Sequence, residues 1–241
     1  KVVYDRSASS ISEIKPGDVD WAKVFDGADW FHFTGITPAI SKNAGEVCIE
    51  AAKAAKELGI TVSADMNYRK NLWTPEEAQA TMIPMMKYVD VSIGNEEDAE
   101  KCLGVAAEGV DVTVGEIDPE AYRPVVQELV DKFGFKKVAI TLRESFSADD
   151  NGWSAIYYDG DEILVGNKYP VRIVDRVGGG DSFCAAMIYG LNQSDWNSRQ
   201  VLDFAVASSA MSHTFHGDFN LVSVKEVMAV AGGDTSGRVQ R

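Results

Sequence analysis

The chain has 241 residues, 45% of them hydrophobic, with 37 acidic against 23 basic side chains and a formal net charge of -14. That length can bury one substantial core without a disulfide or metal staple, and that charge repels nucleic acid and anionic membrane unless cations are gathered locally. No apolar run reaches the length of a membrane span, residues 1–6 lack the apolar stretch of a signal peptide, and Cys48, Cys102 and Cys184 are widely spaced with no C-x-x-C, which favours free thiols in a reducing cytoplasm.

Along the chain, Trp30–Thr34 reads as a short buried strand closed by Gly35, and Val47, Ala51, Ala54 and Leu58 then recur at helical spacing. Ile60–Ala64 is the next strand, Glu76–Lys87 a helix, Val89–Ile93 a strand, and Glu96–Leu103 a helix stopped by Gly104. Residues 105–118 read as a loop, Glu120–Lys132 as a helix and Lys137–Leu142 as a strand. This alternation predicts an α/β fold with a mostly parallel central sheet covered on both faces, and ligands belong at the carboxyl ends of such strands. The rhythm then changes. Trp153–Tyr158 and Glu162–Val165, joined by Asp159-Gly160-Asp161, read as a hairpin, with Val171–Val174 a third short strand of an antiparallel edge. Helices over Ser182–Leu191, Ser198–Ser212 and Val224–Val230 close the chain, with a loose Gly-rich tail at 232–241.

The strongest chemical signal is Asp175-Arg176-Val177-Gly178-Gly179-Gly180-Asp181-Ser182-Phe183: a strand end, three glycines, and an acid opening an amphipathic helix. Glycines let backbone approach a ligand, and the N–H groups of the loop and first helical turn favour a phosphoryl group beside Asp181. Taken in isolation, G-G-G-D fits equally a tight turn with Asp181 as a helix cap. It lacks the G-K-[ST] ending of a P-loop, and it comes too late in the chain for a dinucleotide fold.

Asp175–Phe183 resembles the D-T-x-G-A-G-D-x-F signature of the PfkB, ribokinase-like carbohydrate kinases, with Arg176 in place of Thr and Gly179 in place of Ala. The resemblance implies a single three-layer α/β/α domain over residues 1–241 with part of a β lid, for which residues 1–12 would supply a strand. It also implies an anion hole from Gly178, Gly179 and Gly180, and Asp181 as the base that deprotonates a sugar hydroxyl while ATP with Mg²⁺ supplies the phosphoryl group. Asn95-Glu96-Glu97-Asp98 is similar to the family's N-x-x-E motif, which assigns Asn95 and Asp98 to Mg²⁺ through water, with Asp98 where Glu is usual. Thr141-Leu142-Arg143 resembles the strand end that meets the nucleotide, and the helix carrying Ala207 and Ala210 the segment bordering adenine.

Within the family, Val3-Tyr4-Asp5-Arg6, Asp65-Met66-Asn67-Tyr68-Arg69 and Gly217-Asp218-Phe219-Asn220 resemble the 2-keto-3-deoxygluconate kinases. By that resemblance Tyr4, Arg6 and Arg69 contact an acidic sugar, Asn67 and Arg69 approach the nucleotide, and Asp218 bonds a substrate hydroxyl. The product would be the 6-phosphate, and a homo-oligomer would form through the lid. Kinases for fructose, ribose or ketodeoxygalactonate, and a non-catalytic nucleotide- or sugar-binding protein, are the competing expectations. Members of the family carry a further N-terminal portion, so the sequence is expected to begin inside a lid strand. A carboxylated sugar needs planar cationic donors, and Arg6 and Arg69 sit among aromatic and polar residues, although either arginine alone reads as well as a surface ion pair. His213 and His216 lie three apart without a third ligand nearby, so His213, like His32, is expected to be structural, and Met82, Met85 and Met86 are expected to pack the core.

Overall fold

The computed structural model describes residues 5–95, 97–106 and 118–234. The fold comprises two compact units, Lys1–Gly109 with Pro124–Ala139, and Val110–Arg123 with Ile140–Arg241.

The first unit opens on two short helices, α1 (Ser10–Glu13) and α2 (Trp21–Val24). The strand expected over residues 1–12 is therefore corrected for residues 5–12, and residues 1–4 lie outside the described residues. Short polar side chains satisfy this backbone locally: Ser9 Oγ donates to the Arg6 carbonyl at 2.8 Å, and the Ser9 carbonyl accepts from Ser12 N–H at 2.9 Å.

Beyond them the β-α alternation holds: β1 (Trp30–Thr34), α3 (Ile36–Ile40), α4 (Lys42–Glu57), β2 (Thr61–Asp65), α5 (Pro75–Met86), β3 (Val91–Asn95), α6 (Asp98–Leu103), α7 (Arg123–Phe133) and the first residues of β4 (Lys137–Ser145). Boundaries follow local chemistry. Ser41 Oγ caps α4 by accepting from Ala44 N–H, and Thr74 and Glu77 form a reciprocal capping box at α5 with Pro75 at its first position. Gly104 ends α6 in the left-handed region at φ 67°, as its position predicts. The three strands pair in parallel, with Thr34 opposite Asp65 and Asp65 opposite Ile93, so their carboxyl ends converge on one edge. Ala52, Ala55, Val62, Ala64, Met82, Met85 and Met86 are fully buried, which gives the methionines the packing role expected of them. Most of the predicted 105–118 loop lies outside the described residues.

In the second unit β4 continues and turns into β5 (Asp150–Tyr158), where Phe146 and Ser147 N–H donate to the Asp150 carbonyl. The antiparallel partners β6 (Ile163–Val165) and β7 (Tyr169–Arg172) run along β5 as one broken strand. Ile156 faces Val165, yet Trp153 faces Tyr169 instead of Lys168, a slip of one residue at the break, where Gly166 N–H donates to the Ala155 carbonyl. The predicted hairpin and third strand are thus present. Helices α8 (Gly179–Leu191), α9 (Ser198–Ser212) and α10 (Val224–Ala231) complete the unit, with α8 packed along α9. Phe183 and Met187 of α8 are fully buried, as are Leu202, Ala205 and Val206 of α9. Of the tail, residues 235–241 lie outside the described residues.

All three cysteines are buried free thiols, and burial pushes the Cys48 thiol up to about 12, far from the reactive thiolate range. No helix among the described residues is long and apolar enough to cross a membrane.

Candidate active site

The second unit gathers Gly178, Gly179, Gly180, Asp181 and Asp218. The chain leaves β7, and Val174 N–H donates to the His213 carbonyl at 2.8 Å. Asp175 then accepts from Val177 N–H at 3.1 Å on one oxygen and from Gly217 N–H at 3.1 Å on the other, and these amides hold its carboxyl below the usual carboxylate range. Gly178 sits in the left-handed region at φ 82°, and a Cβ on it would meet the Asp218 carbonyl oxygen at 2.4 Å. Only glycine satisfies both the dihedral and the close approach. Gly179 follows, buried, and Gly180 opens onto free space.

Ser182 N–H is the first amide of α8 to find a helical carbonyl, that of Gly178 at 2.8 Å, while the amides of Gly179, Gly180 and Asp181 donate to no group among the described residues. Three free donors at the positive end of a thirteen-residue helix form an anion cradle. Asp181 is exposed beside it, and its carboxylate makes no hydrogen bond among the described residues.

Hydroxyls and an amide brace the cradle from behind. Ser209 Oγ donates to the Gly179 carbonyl at 2.7 Å. Asn220 Nδ2 donates to Ser182 Oγ at 2.6 Å, to Ser208 Oγ at 3.1 Å and to the Ser208 carbonyl at 3.2 Å, which ties the Gly217–Asn220 segment to both helices. Arg176 donates to the Ala148 carbonyl and to Asn151 Oδ1, anchoring the loop to the β4–β5 turn. Sequence reading did not single out Ser182, Ser208, Ser209 or Asn220 as functional. The usable signal is a pair of serines, Ser208 and Ser209, in an otherwise alanine-rich buried helix face, since buried hydroxyls need partners.

Of the residues expected at the nucleotide, Thr141 is buried in β4 and Arg143, two positions on, is exposed. Ala207 is fully enclosed and Ala210 nearly so, in a stretch of α9 that is buried from Phe204 to Ala210.

The first unit gathers Asn67, Arg69, Asn95 and Asp98 at the ends of β2 and β3. Asn67 takes the left-handed region at φ 40°, which its short polar side chain tolerates, and donates to Thr34 Oγ1 at 3.1 Å. Arg69 is exposed and Arg6 half-buried, while Tyr4 lies outside the described residues. Asp98 is only 2% exposed and accepts from Tyr68 N–H at 2.9 Å and Asn95 N–H at 2.8 Å. Burial raises its carboxyl above the usual range against the pull of those two amides and of the Arg69 charge. Asn95 Oδ1 in turn accepts from Glu97 and Asp98 N–H.

Each carboxylate oxygen of Asp98 thus accepts one backbone amide and the amide oxygen of Asn95 accepts two, so backbone donors fix both of the side chains assigned by resemblance to Mg²⁺ through water. No group of three His, Cys, Asp or Glu side chains among the described residues is arranged to hold a metal ion.

An acid beside a glycine cradle at a helix terminus, on an α/β scaffold, points to a phosphoryl-transferring carbohydrate kinase as the class. The chain belongs to the pfkB family of carbohydrate kinases, whose sequence pattern matches residues 2–223. Among solved structures it resembles the 2-dehydro-3-deoxygluconokinase of Thermotoga maritima, with 49% identity and a TM-score of 0.90 over 97% of this chain and 69% of that one. The 2-dehydro-3-deoxygalactonokinase of Haloferax volcanii is 29% identical over 98% of this chain and 67% of its own length. The 2-dehydro-3-deoxygluconokinase of Thermoproteus tenax is 31% identical over 90% of this chain and 59% of its own length. The ribokinase-like α/β fold expected from the signature is the fold observed.

Proposed function

We propose that the chain carries the phosphoryl cradle and the catalytic base of an ATP-dependent kinase whose acceptor is a six-carbon keto-deoxy sugar acid, with 2-keto-3-deoxygluconate as the preferred substrate and its primary hydroxyl as the nucleophile. The observation that carries this reading is the α8 terminus: three unengaged amides and an unengaged, exposed carboxylate side by side. ATP would supply the γ-phosphoryl group. The Gly179 and Gly180 amides would bind its oxygens and neutralise charge during in-line transfer, and Asp181 would accept the proton of the attacking hydroxyl. Asp218, whose backbone abuts Gly178, is suited to orient a hydroxyl beside the cradle. Arg69 and Arg6 supply the planar cations that a carboxylate requires, and Tyr4 is assigned to the same sugar. Mg²⁺ in this reading arrives with the nucleotide, with Asn95 and Asp98 assigned to it through water.

Names of relatives support both epimers of the acid: the gluconate-type acceptor through 49% identity to one solved structure and the galactonate-type through near-complete coverage of the chain. The test is a coupled assay of the purified protein against both keto-deoxy acids, fructose and ribose, with Arg69→Ala beside the parent. Activity confined to the keto-deoxy acids and lost in Arg69→Ala supports the reading, and phosphorylation of neutral sugars unaffected by that substitution rejects the acidic-sugar assignment.

A further inference from the structure

Residue 213 touches both ends of the glycine loop. Its carbonyl accepts Val174 N–H at 2.8 Å and Asp175 N–H at 3.4 Å, which fixes where the chain enters the loop. Its imidazole lies under the other end: a Cβ built on Gly179 would stand 2.5 Å from His213 Cε1 and 2.6 Å from Nε2. The ring itself has little freedom. It is 5% exposed, it stacks at a tilt against Trp153 with centroids 4.7 Å apart, and Nδ1 lies 2.7 Å from the Ser209 carbonyl. A carbonyl only accepts, so Nδ1 carries the proton and Nε2 of the neutral ring is the unprotonated nitrogen turned toward Gly179.

Ser209 closes the arrangement, because its hydroxyl donates to the Gly179 carbonyl while its own carbonyl holds the imidazole. Gly179 is thus supported by one hydroxyl from the last turn of α9 and one ring from the residue that caps it. The absence of a side chain at Gly179 and the presence of a ring at 213 are two halves of one fit, since the ring occupies the volume that a methyl would take.

We propose that His213 is a positioning residue of the phosphoryl cradle, its ring setting the height of Gly179 and its carbonyl setting the entry of the loop at Val174 and Asp175. It touches no reacting atom and acts through the direction of the Gly179 and Gly180 amides. This rests on the kinase reading for its catalytic consequence but not for the fit itself. Burial and the nearby Arg176 and Arg143 charges favour the neutral ring that the geometry requires, although the Ser209 carbonyl favours the charged one.

The experiment is a four-protein comparison: parent, Gly179→Ala, His213→Ala and the double variant, each assayed for kcat and for KM of the sugar acid, with ADP affinity by calorimetry and thermal midpoints in parallel. Gly179→Ala alone should lose about 10²-fold in kcat with sugar KM little changed, because a displaced amide weakens the transition state more than the ground state. Adding His213→Ala should restore the double variant to within about tenfold of His213→Ala alone, since the colliding ring is gone. Failure of His213→Ala to relieve Gly179→Ala, with both proteins folded, overturns the proposal. A parent that transfers no phosphoryl group rejects the kinase reading instead, and the loss and recovery of ADP affinity across the same four proteins then decides the fit: recovery upholds it and no recovery overturns it.

Discussion

Each unit of this molecule places an aspartate in the first turn of a helix that follows a β-strand region, and the two carboxylates meet opposite fates. Asp98, at the head of α6, is buried with both oxygens bonded to the amides of Tyr68 and Asn95. Asp181, in the first turn of α8, is exposed, and the amides around it are free. A helix N-terminus stabilises an acid in either setting. What differs is whether the surrounding donors are consumed by the fold. Where they are consumed the acid is a staple, and where they are left open the pair of acid and donors can act on something else.

The contrast is sharpest in turnover. Asp181→Asn should lower kcat by about 10²- to 10⁴-fold, the usual contribution of a general base, while the urea midpoint moves little, because the side chain has no partner to lose. Unchanged kcat would remove Asp181 from the chemistry and erase the distinction. Asp98→Ala should do the reverse, costing about 2–4 kcal/mol in urea unfolding by stranding two buried amides. If its main effect is a raised requirement for Mg²⁺ at unchanged stability, Asp98 belongs to the metal after all.

A smaller change is expected from Asn220→Ala. Ser182 and Ser208 hydroxyls lie 3.2 Å apart and can pair with each other once the amide is gone, so the loss should be about 1–2 kcal/mol in the same unfolding measurement. The smallest effect is a pH slope. Burial depresses the His213 pKa, the Ser209 carbonyl opposes this, and the Arg176 and Arg143 charges reinforce it. The unfolded chain therefore takes up a proton near the ordinary value of 6.5 that the folded ring resists, and stability falls as pH drops from there toward the depressed folded value. The slope cannot exceed about 1.4 kcal/mol per pH unit for one proton, and His213→Ala should lack it, so that it remains in the difference between parent and variant.

The cradle was legible in the sequence because it is contiguous: strand end, glycines, acid and helix follow one another, and local geometry alone brings them together. The alternation of strands and helices was legible for the same reason, through periodicity. The four- and five-residue helices α1, α2 and α3 were not, since so short a segment shows less than two turns of pattern. Spacing predicts α9 as a helix but not that it is buried all round from Phe204 to Ala210. Resemblance to the N-x-x-E motif suggests Mg²⁺ for Asp98, and only the coordinates reveal the two backbone amides that its carboxylate accepts. The fit between Gly179 and His213 joins positions far apart in the chain, and no local rule connects a missing methyl at one with a ring at the other.

The slip between β6 and β7 bears on how this protein behaves in a crowded solution. An uninterrupted outer strand would offer a continuous row of hydrogen-bonding groups to any extended segment that drifted past. Here the register shifts by one residue at the break, Lys168 stands in it, and Pro170 opposite Gly152 has no N–H to give. An outer rim so interrupted is a poor template, and it guards the folded protein against sheet-to-sheet aggregation.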